Sequence, residues 1–320
     1  MIKVFEPCIT KEDLAIASGK CLATGQFDPG QYVDQFEAEI AKYLGVPREW
    51  VMVTSSCTAA LATCYHFLLK GGRLQAPVMT WPGTYCTVPD VEWYDYEPLD
   101  NKRPAVIVDL YGTGRFPYTG RPLIIDAAHN FSGFRAGDVY KGHAAAVCYS
   151  FGPTKQLTTI RGGAVVSPMV NQNWRNFIHY GAEGRVSKEP AGHNYTMPDF
   201  NACIGLEQLK RFNDMQKRRV EILDAYKKAL RLRVDPESFN GSGHIASLLV
   251  RWAGQRQRVV EALKESCIQT SHHYPLPQWF WGYYERSRDL ASRQVTLPLH
   301  LDLTDEDVTM ICDIVKGVLS

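Results

Sequence analysis

Apolar side chains recur along this chain first in three- and four-residue steps, then in short unbroken runs, then in helical steps again. Residues 31–44 place Tyr32, Phe36, Ile40 and Tyr43 on one face, which predicts an amphipathic helix stopped by Gly45 and Pro47. Ahead of it, Thr10-Lys-Glu-Asp13 has the form of a capping box and predicts a helix to about Thr24. Gly25-Gln-Phe-Asp-Pro-Gly30 is a turn-rich loop. Residues 50–53 are a short strand, and Ser55-Ser-Cys-Thr58 leads into an apolar helical stretch that ends at Gly71-Gly72. Four β-like runs follow, at 105–109, 123–126, 145–149 and 163–167. They are continuously apolar rather than alternating, which predicts a sheet covered on both faces and hence an α/β fold. Residues 199–232 are helical with a break near Asn213. A strand at 246–252, a helix at 256–266 and a final helix after Thr304 complete the pattern. It divides the chain into a large domain at 1–234 and a small C-terminal α/β domain at 235–320.

Composition narrows the function classes. A length of 320 residues suits two domains. Lys plus Arg number 35 and Asp plus Glu 34, a formal net charge of +1. So balanced a chain gives no bulk electrostatic reason to bind nucleic acid or an anionic membrane. Apolar residues at 45% and charged residues at 22% provide an ordinary core. The nine cysteines include no Cys-x-x-Cys pair, and most sit in apolar runs. They read as buried free thiols in a reducing compartment, with no metal site. No uncharged apolar run approaches the ~18 residues of a membrane span. The expectation is a soluble cytoplasmic protein.

Three segments carry candidate chemistry. Asp126 ends an apolar strand and precedes Ala127-Ala128-His129. The carboxyl ends of strands in an open α/β sheet are where ligands bind. Alone, such an Asp more often caps a following turn. Ser150-Phe-Gly-Pro-Thr-Lys155 follows a second apolar strand. A lysine shielded between strands has a lowered pKa and can form a Schiff base, although most single lysines are surface groups. Ser55-Ser-Cys-Thr-Ala-Ala-Leu61 is a strand-to-helix turn, and the N–H groups of a helix N-terminus are a phosphate site. It could equally be an ordinary N-cap. Together, a phosphate cradle, an Asp for a ring nitrogen and a Lys for an aldehyde are what pyridoxal phosphate requires.

In this order the segments resemble the DegT/DnrJ/StrS family of pyridoxal-phosphate-dependent sugar aminotransferases. The resemblance rests on Ser56-Cys-Thr-Ala-Ala-Leu61, Asp126-Ala-Ala-His129 with Gly133, Ser150 to Lys155, and Gly162-Gly-Ala-Val-Val166. It continues through Gly192-His-Asn-Tyr-Thr-Met-Pro-Asp199, Ala202 to Leu209, His273-Tyr-Pro275 and Leu297 to Asp307. It implies the aspartate-aminotransferase-like (type I) fold, with a mostly parallel central sheet covered by helices. By resemblance, Lys155 is the Schiff-base lysine and acid/base, and Asp126 pairs with the pyridine nitrogen. His129 sits near the phenolic oxygen of the ring. Ser150 and the backbone at Cys57 and Thr58 hold the phosphate. Trp81 lies over the cofactor. Asn194 reaches the phosphate from the neighbouring subunit, so the implied enzyme is a homodimer with shared active sites.

Departures from the family pattern point to a shortened member. Cys57 replaces a Gly and places a Cβ in the phosphate turn. Thr196 replaces an Arg, leaving Arg161 and Arg185 as candidates for binding a donor carboxylate. The segments between Trp81 and Asp109 and between Gly112 and Asp126 are short, and at least one covering helix should be absent on the substrate side. The resemblance implies an aminotransferase that takes an amino group from L-glutamate and gives it to a keto or aldehyde acceptor, a nucleotide-linked keto-sugar. Two alternatives stand beside it. One is a pyridoxal-phosphate-dependent decarboxylase or lyase acting on an amino acid attached to a bulky substrate. The other is a non-enzymatic scaffold, against which the intact Asp126, Ser150 and Lys155 argue.

Overall fold

The structure, a computed structural model, describes residues 1–69, 72–95, 103–114, 123–132, 144–181 and 192–320. Gly133 and Arg185 lie outside the described residues.

The first helix, α1 (Lys11–Thr24), opens with a reciprocal cap: Thr10 Oγ1 accepts the Asp13 N–H at 3.1 Å, and the Asp13 carboxylate accepts the Thr10 N–H at 2.8 Å. Gly25 ends it at φ 67°, the left-handed conformation that costs glycine least. The next helix, α2 (Gln31–Leu44), buries Phe36, Ile40 and Leu44. Burying a side chain of this size contributes about 1.5–3 kcal/mol.

Seven strands form the central sheet: β1 (Val51–Thr54), β2 (Leu74–Pro77), β3 (Val91–Tyr94), β4 (Ala105–Val108), β5 (Leu123–Asp126), β6 (Ala146–Ser150) and β7 (Gly163–Val166). Their order is β1-β7-β6-β5-β4-β2-β3, with β7 antiparallel to both neighbours and all other pairs parallel. Alternate residues of each central strand point to opposite faces. Val51, Val53, Ile107, Ile125, Val147 and Tyr149 join α2 in one core. Met52, Val106, Ile124, Cys148 and Val165 join α3 (Cys57–Leu69) and α4 (Gln172–Ile178) in another. Both faces are dry, which is why these strands read as unbroken apolar runs.

Helices α5 (Asp199–Lys210) and α6 (Phe212–Leu230) meet at Arg211, two residues before the expected break. The Arg211 guanidinium pairs with the Asp13 carboxylate of α1 at 2.5 Å, and its backbone leaves the helical region at φ −113°, ψ 8°. Beyond α6, β8 (Ala246–Leu249) and β9 (Gln294–Leu297) pair antiparallel. They pack with α7 (Ala253–Glu265), α9 (Asp305–Val318), the second half of α6 and Ile2. Strand β8 stops at Leu249, not Trp252. Trp252 precedes α7 and its N–H is held by Gln255 Oε1 at 3.2 Å. A further helix, α8 (Glu285–Arg293), leads into β9.

The connection from β2 to β3 contains only a 3₁₀ turn, Pro82–Thr84, and no α-helix. The described part of the β4–β5 connection holds only a second 3₁₀ turn, Leu110–Gly112. Over this region Val78 and Met79 pack instead with Leu276 and Ala291 from the C-terminal part. All nine cysteines are free; Cys86 and Cys267 are exposed, Cys8 is half-buried and the others are buried. Among the described residues, no helix is long and apolar enough to cross a membrane.

Candidate active site

The carboxyl ends of β1, β2, β4, β5 and β6 lie along one edge of the sheet, and a cavity of about 490 Å³ opens there. Cys57, Thr58, Trp81, Asp126, His129, Ser150 and Lys155 all line it. Seven of the eight residues singled out in the sequence thus converge, from four separate segments. Asn194 does not: it lies exposed on the strand-like segment that pairs with His179, with Thr196 Oγ1 donating to its Oδ1 at 3.2 Å.

Asp126 is the last residue of β5 and is 5% exposed. Its Oδ1 accepts the Ala128 N–H at 3.1 Å and lies 3.8 Å from Cys57 Sγ. Its Oδ2 accepts the Thr84 hydroxyl at 2.8 Å, and Thr84 in turn lies 2.8 Å from Thr80 Oγ1. Among the described residues no cation forms an ion pair with Asp126. Burial pushes its carboxyl pKa up, while Thr84, the Ala128 N–H and the charge of Lys155 pull it back. A protonated ring nitrogen would supply the missing cation.

Lys155 sits in a loop tied at its base. Phe151 N–H donates to Gly162 O at 2.8 Å, and Thr159 N–H donates to Phe151 O at 3.0 Å. The next residue, Gln156, is buried, accepts the Phe131 N–H at 2.9 Å and donates to Ser242 O at 2.7 Å. The lysine chain is therefore anchored while its amine faces the cavity. Burial lowers its pKa to about 8; Cys57 and Asp126 oppose the shift.

Helix α3 starts at the cavity wall, where the first N–H groups of a helix have no intrahelical acceptor. Ser56 Oγ caps Ala59 N–H at 3.1 Å, and the first N–H groups of the helix, at Cys57 and Thr58, form the kind of end that suits an anion. The Cβ that replaces glycine is accommodated because Cys57 is helical and its sulfur turns inward against Asp126. Burial, then the nearby carboxylate, holds that thiol well above its usual pKa, hence neutral. Gly163 allows the close approach behind it: a Cβ there would lie 2.4 Å from Cys57 N. Ser150 Oγ accepts the Gly152 N–H at 3.4 Å on the same wall. A phosphate, a ring nitrogen and an aldehyde each find a matching group, so the cavity fits pyridoxal phosphate.

Several lining residues carried no role from sequence: Thr80, Thr84, His244, His273, Tyr274 and Phe5. Thr84 gave no signal beyond its place in Thr80-Trp-Pro-Gly-Thr84. Trp81 is 62% exposed at the rim, 6.0 Å from the Tyr274 ring. His129 is buried, and burial followed by the Lys155 charge drives its pKa well down, so it is neutral. Arg161 lies exposed at the cavity mouth.

The comparisons with known proteins agree with this geometry. The model of the DegT/DnrJ/EryC1/StrS aminotransferase family matches residues 7–99 and 118–316. The interruption falls within the shortened stretch between Trp81 and Asp126. GDP-perosamine synthase of Escherichia coli O157:H7 is 24% identical over 370 residues, covering 100% of this chain and 99% of its own. That alignment is longer than the 320 residues of this chain, so the relative carries insertions. Among solved structures, the aminotransferase TlmJ from Streptoalloteichus hindustanus superposes with a TM-score of 0.86 at 23% identity, covering 100% of this chain and 99% of its own. NtdA from Bacillus subtilis, with bound cofactor PMP, superposes with a TM-score of 0.82 at 22% identity, covering 97% and 83%. The family match extends over most of the chain on a type I fold, and the chain belongs to the DegT/DnrJ/EryC1/StrS family as a pyridoxal-phosphate-dependent aminotransferase.

Proposed function

We propose that this enzyme moves an amino group from L-glutamate to the keto group of a nucleotide-linked sugar, in a homodimer whose two active sites share residues. The observation that carries the chemistry is the Lys155 amine, with a pKa near 8, in a cavity also lined by the buried carboxylate of Asp126, which forms no ion pair among the described residues. Bound pyridoxal phosphate supplies an aldehyde for a lysine amine and a ring that accepts electrons from a carbanion.

The residues of the chain then have separate duties. Lys155 would hold the cofactor through its amine and would serve as the base for the donor's α-carbon proton. With a pKa near 8 a substantial fraction is neutral at physiological pH, the state a base requires. Asp126, oriented by Thr84 and the Ala128 N–H, keeps the ring nitrogen protonated. The N-terminus of α3 with Ser150 fixes the phosphate end, so the reacting atoms stay aligned through both half-reactions.

The acceptor class is supported by family membership and by relatives such as GDP-perosamine synthase. The shared site is supported by Asn194: its family role is at the cofactor phosphate, yet within one chain it stays outside the cavity. Arg161, the one arginine lining the cavity among the described residues, is the proposed partner of the donor carboxylate. Mixing the holoenzyme with L-glutamate alone tests the activity. The cofactor spectrum should change to that of the pyridoxamine form and one equivalent of 2-oxoglutarate should appear, since the first half-reaction needs no acceptor. An unchanged spectrum with glutamate and other common amino donors defeats the proposal.

A further inference from the structure

Around His129 the hydrogen bonds run in one direction. Tyr111 N–H donates to His129 Nδ1 at 3.2 Å. The ring is neutral, so with Nδ1 accepting, its proton sits on Nε2. That nitrogen is 3.0 Å from the Tyr274 hydroxyl oxygen and donates to it. Tyr274 Oη is thereby an acceptor from His129, and its own hydrogen is left to point elsewhere. Tyr274 lines the cavity that holds Lys155 and Asp126.

Both ends of the relay are braced. Tyr111 has a left-handed backbone, φ 65°, a conformation that a bulky residue adopts only when its surroundings impose it. Its hydroxyl donates to His273 O at 2.5 Å, and its carbonyl accepts the Ser242 N–H at 3.3 Å. Ser242 Oγ donates to His129 O at 2.7 Å. On the other side, His273 N–H is held by Gln294 Oε1 at 2.9 Å, and His273 Nδ1 lies 2.8 Å from Thr296 Oγ1. Gln294 and Thr296 are wholly buried residues of β9. The C-terminal sheet thus delivers Tyr274 to His129. Both nitrogens of His129 are already engaged, one by the Tyr111 N–H and the other by Tyr274.

We infer that Tyr274, set as a donor by His129, is the residue that hydrogen-bonds an oxygen of the molecule bound beside Lys155. The inference rests on the cofactor assignment above. The acceptor is an anionic oxygen, either the phenolic oxygen of the cofactor or the carboxylate of the amino donor. The hydroxyl keeps its proton for this purpose: burial, then the Asp126 charge, raises its pKa beyond the working range. The other titratable groups facing it are Lys155, Tyr111, His129 and His273.

Tyr274→Phe separates the two sources. Cofactor-loaded wild-type and variant proteins are titrated with acid and base, and the visible absorbance of the bound cofactor is followed. A donor to the phenolic oxygen favours its anionic form; its loss should raise the titration midpoint by about one unit, a tenfold change in proton affinity. An unchanged midpoint with a KM for glutamate raised about tenfold, at nearly constant kcat, assigns the hydroxyl to the donor carboxylate. In cofactor-free protein, ¹⁵N NMR should place the His129 proton on Nε2, with a resonance that moves in the variant. A proton on Nδ1 overturns the inference. So does a variant matching wild type in both midpoint and glutamate KM while the wild type loads normally. A wild-type protein that takes up no cofactor overturns the cofactor assignment, and this inference with it.

Discussion

Thr84 reaches Asp126 from a turn 42 residues away in sequence and holds a carboxylate that lines the cavity. Thr84→Val keeps the shape and removes the hydroxyl. A hydrogen bond to a charged group contributes about 1.5–3 kcal/mol, so cofactor affinity should fall roughly tenfold or more; equilibrium dialysis of pyridoxal phosphate measures it. Lys155→Ala should lose covalent attachment altogether. Borohydride reduction of wild type followed by peptide mapping should find the label on Lys155, and a label on any other lysine refutes the assignment. Asp126, His129, Ser150 and Lys155 were legible in sequence because each follows a short apolar run or sits within a compact motif. Thr80, Thr84 and Tyr274 were not, because their roles arise from tertiary contact and no local pattern marks a threonine that holds a distant carboxylate.

At the scale of elements, α3 and β7 meet backbone to backbone beside the site. A methyl group at Gly163 would meet backbone atoms of Ser56 and Cys57 at 2.4 Å, and backbone cannot rotate away. Gly163→Ala should therefore push the α3 N-terminus out of register with the phosphate. Overpacking of this kind costs about 1–3 kcal/mol, and phosphate affinity should fall along with thermal stability. Inorganic phosphate binding followed by calorimetry, with a thermal melt, reads both. Helices α1, α2, α3, α5, α6, α7 and α9 and the central strands β4 to β7 were legible from capping residues and apolar runs, whereas the short helices α4 and α8 were not. Strands β2, β3 and β9 were not. β2 carries Gln75 and ends on Pro77, β3 carries Glu92, and β9 buries Gln294 and Thr296, so none presents an unbroken apolar run. Gln75 is satisfied inside the sheet by Arg103 O at 3.4 Å, a partner that only the fold supplies.

For the molecule as a whole, two buried histidines, His129 and His244, and the half-buried His273 converge on one cavity. Burial depresses the pKa of His129 and His244 well below the usual value, and that of His273 to about 4. In the unfolded chain each titrates near ~6.5. Between about pH 4 and 6.5 the unfolded state binds more protons, so stability rises with pH across this window and is lost as pH falls through it. The cofactor-free protein should melt at progressively lower temperature from pH 7 to pH 4.5. A flat profile would show that the histidines are not held neutral. At the level of assembly, inactive Lys155→Ala and Asn194→Ala proteins should regain part of the activity when mixed, because one of the two hybrid sites would have both residues intact. Verified mixed dimers without activity would show that each subunit builds its own site.

Phe5 lines the cavity, Ile2 bridges to Ile268, and Leu299 N–H donates to Val4 O at 3.1 Å. Ile2 and Val4 thus find partners among residues more than 260 positions further along the chain. During synthesis the sheet edge with Asp126 and Lys155 leaves the ribosome well before Tyr274, so the lining of the cavity is completed late, once the segment leading into β9 has emerged.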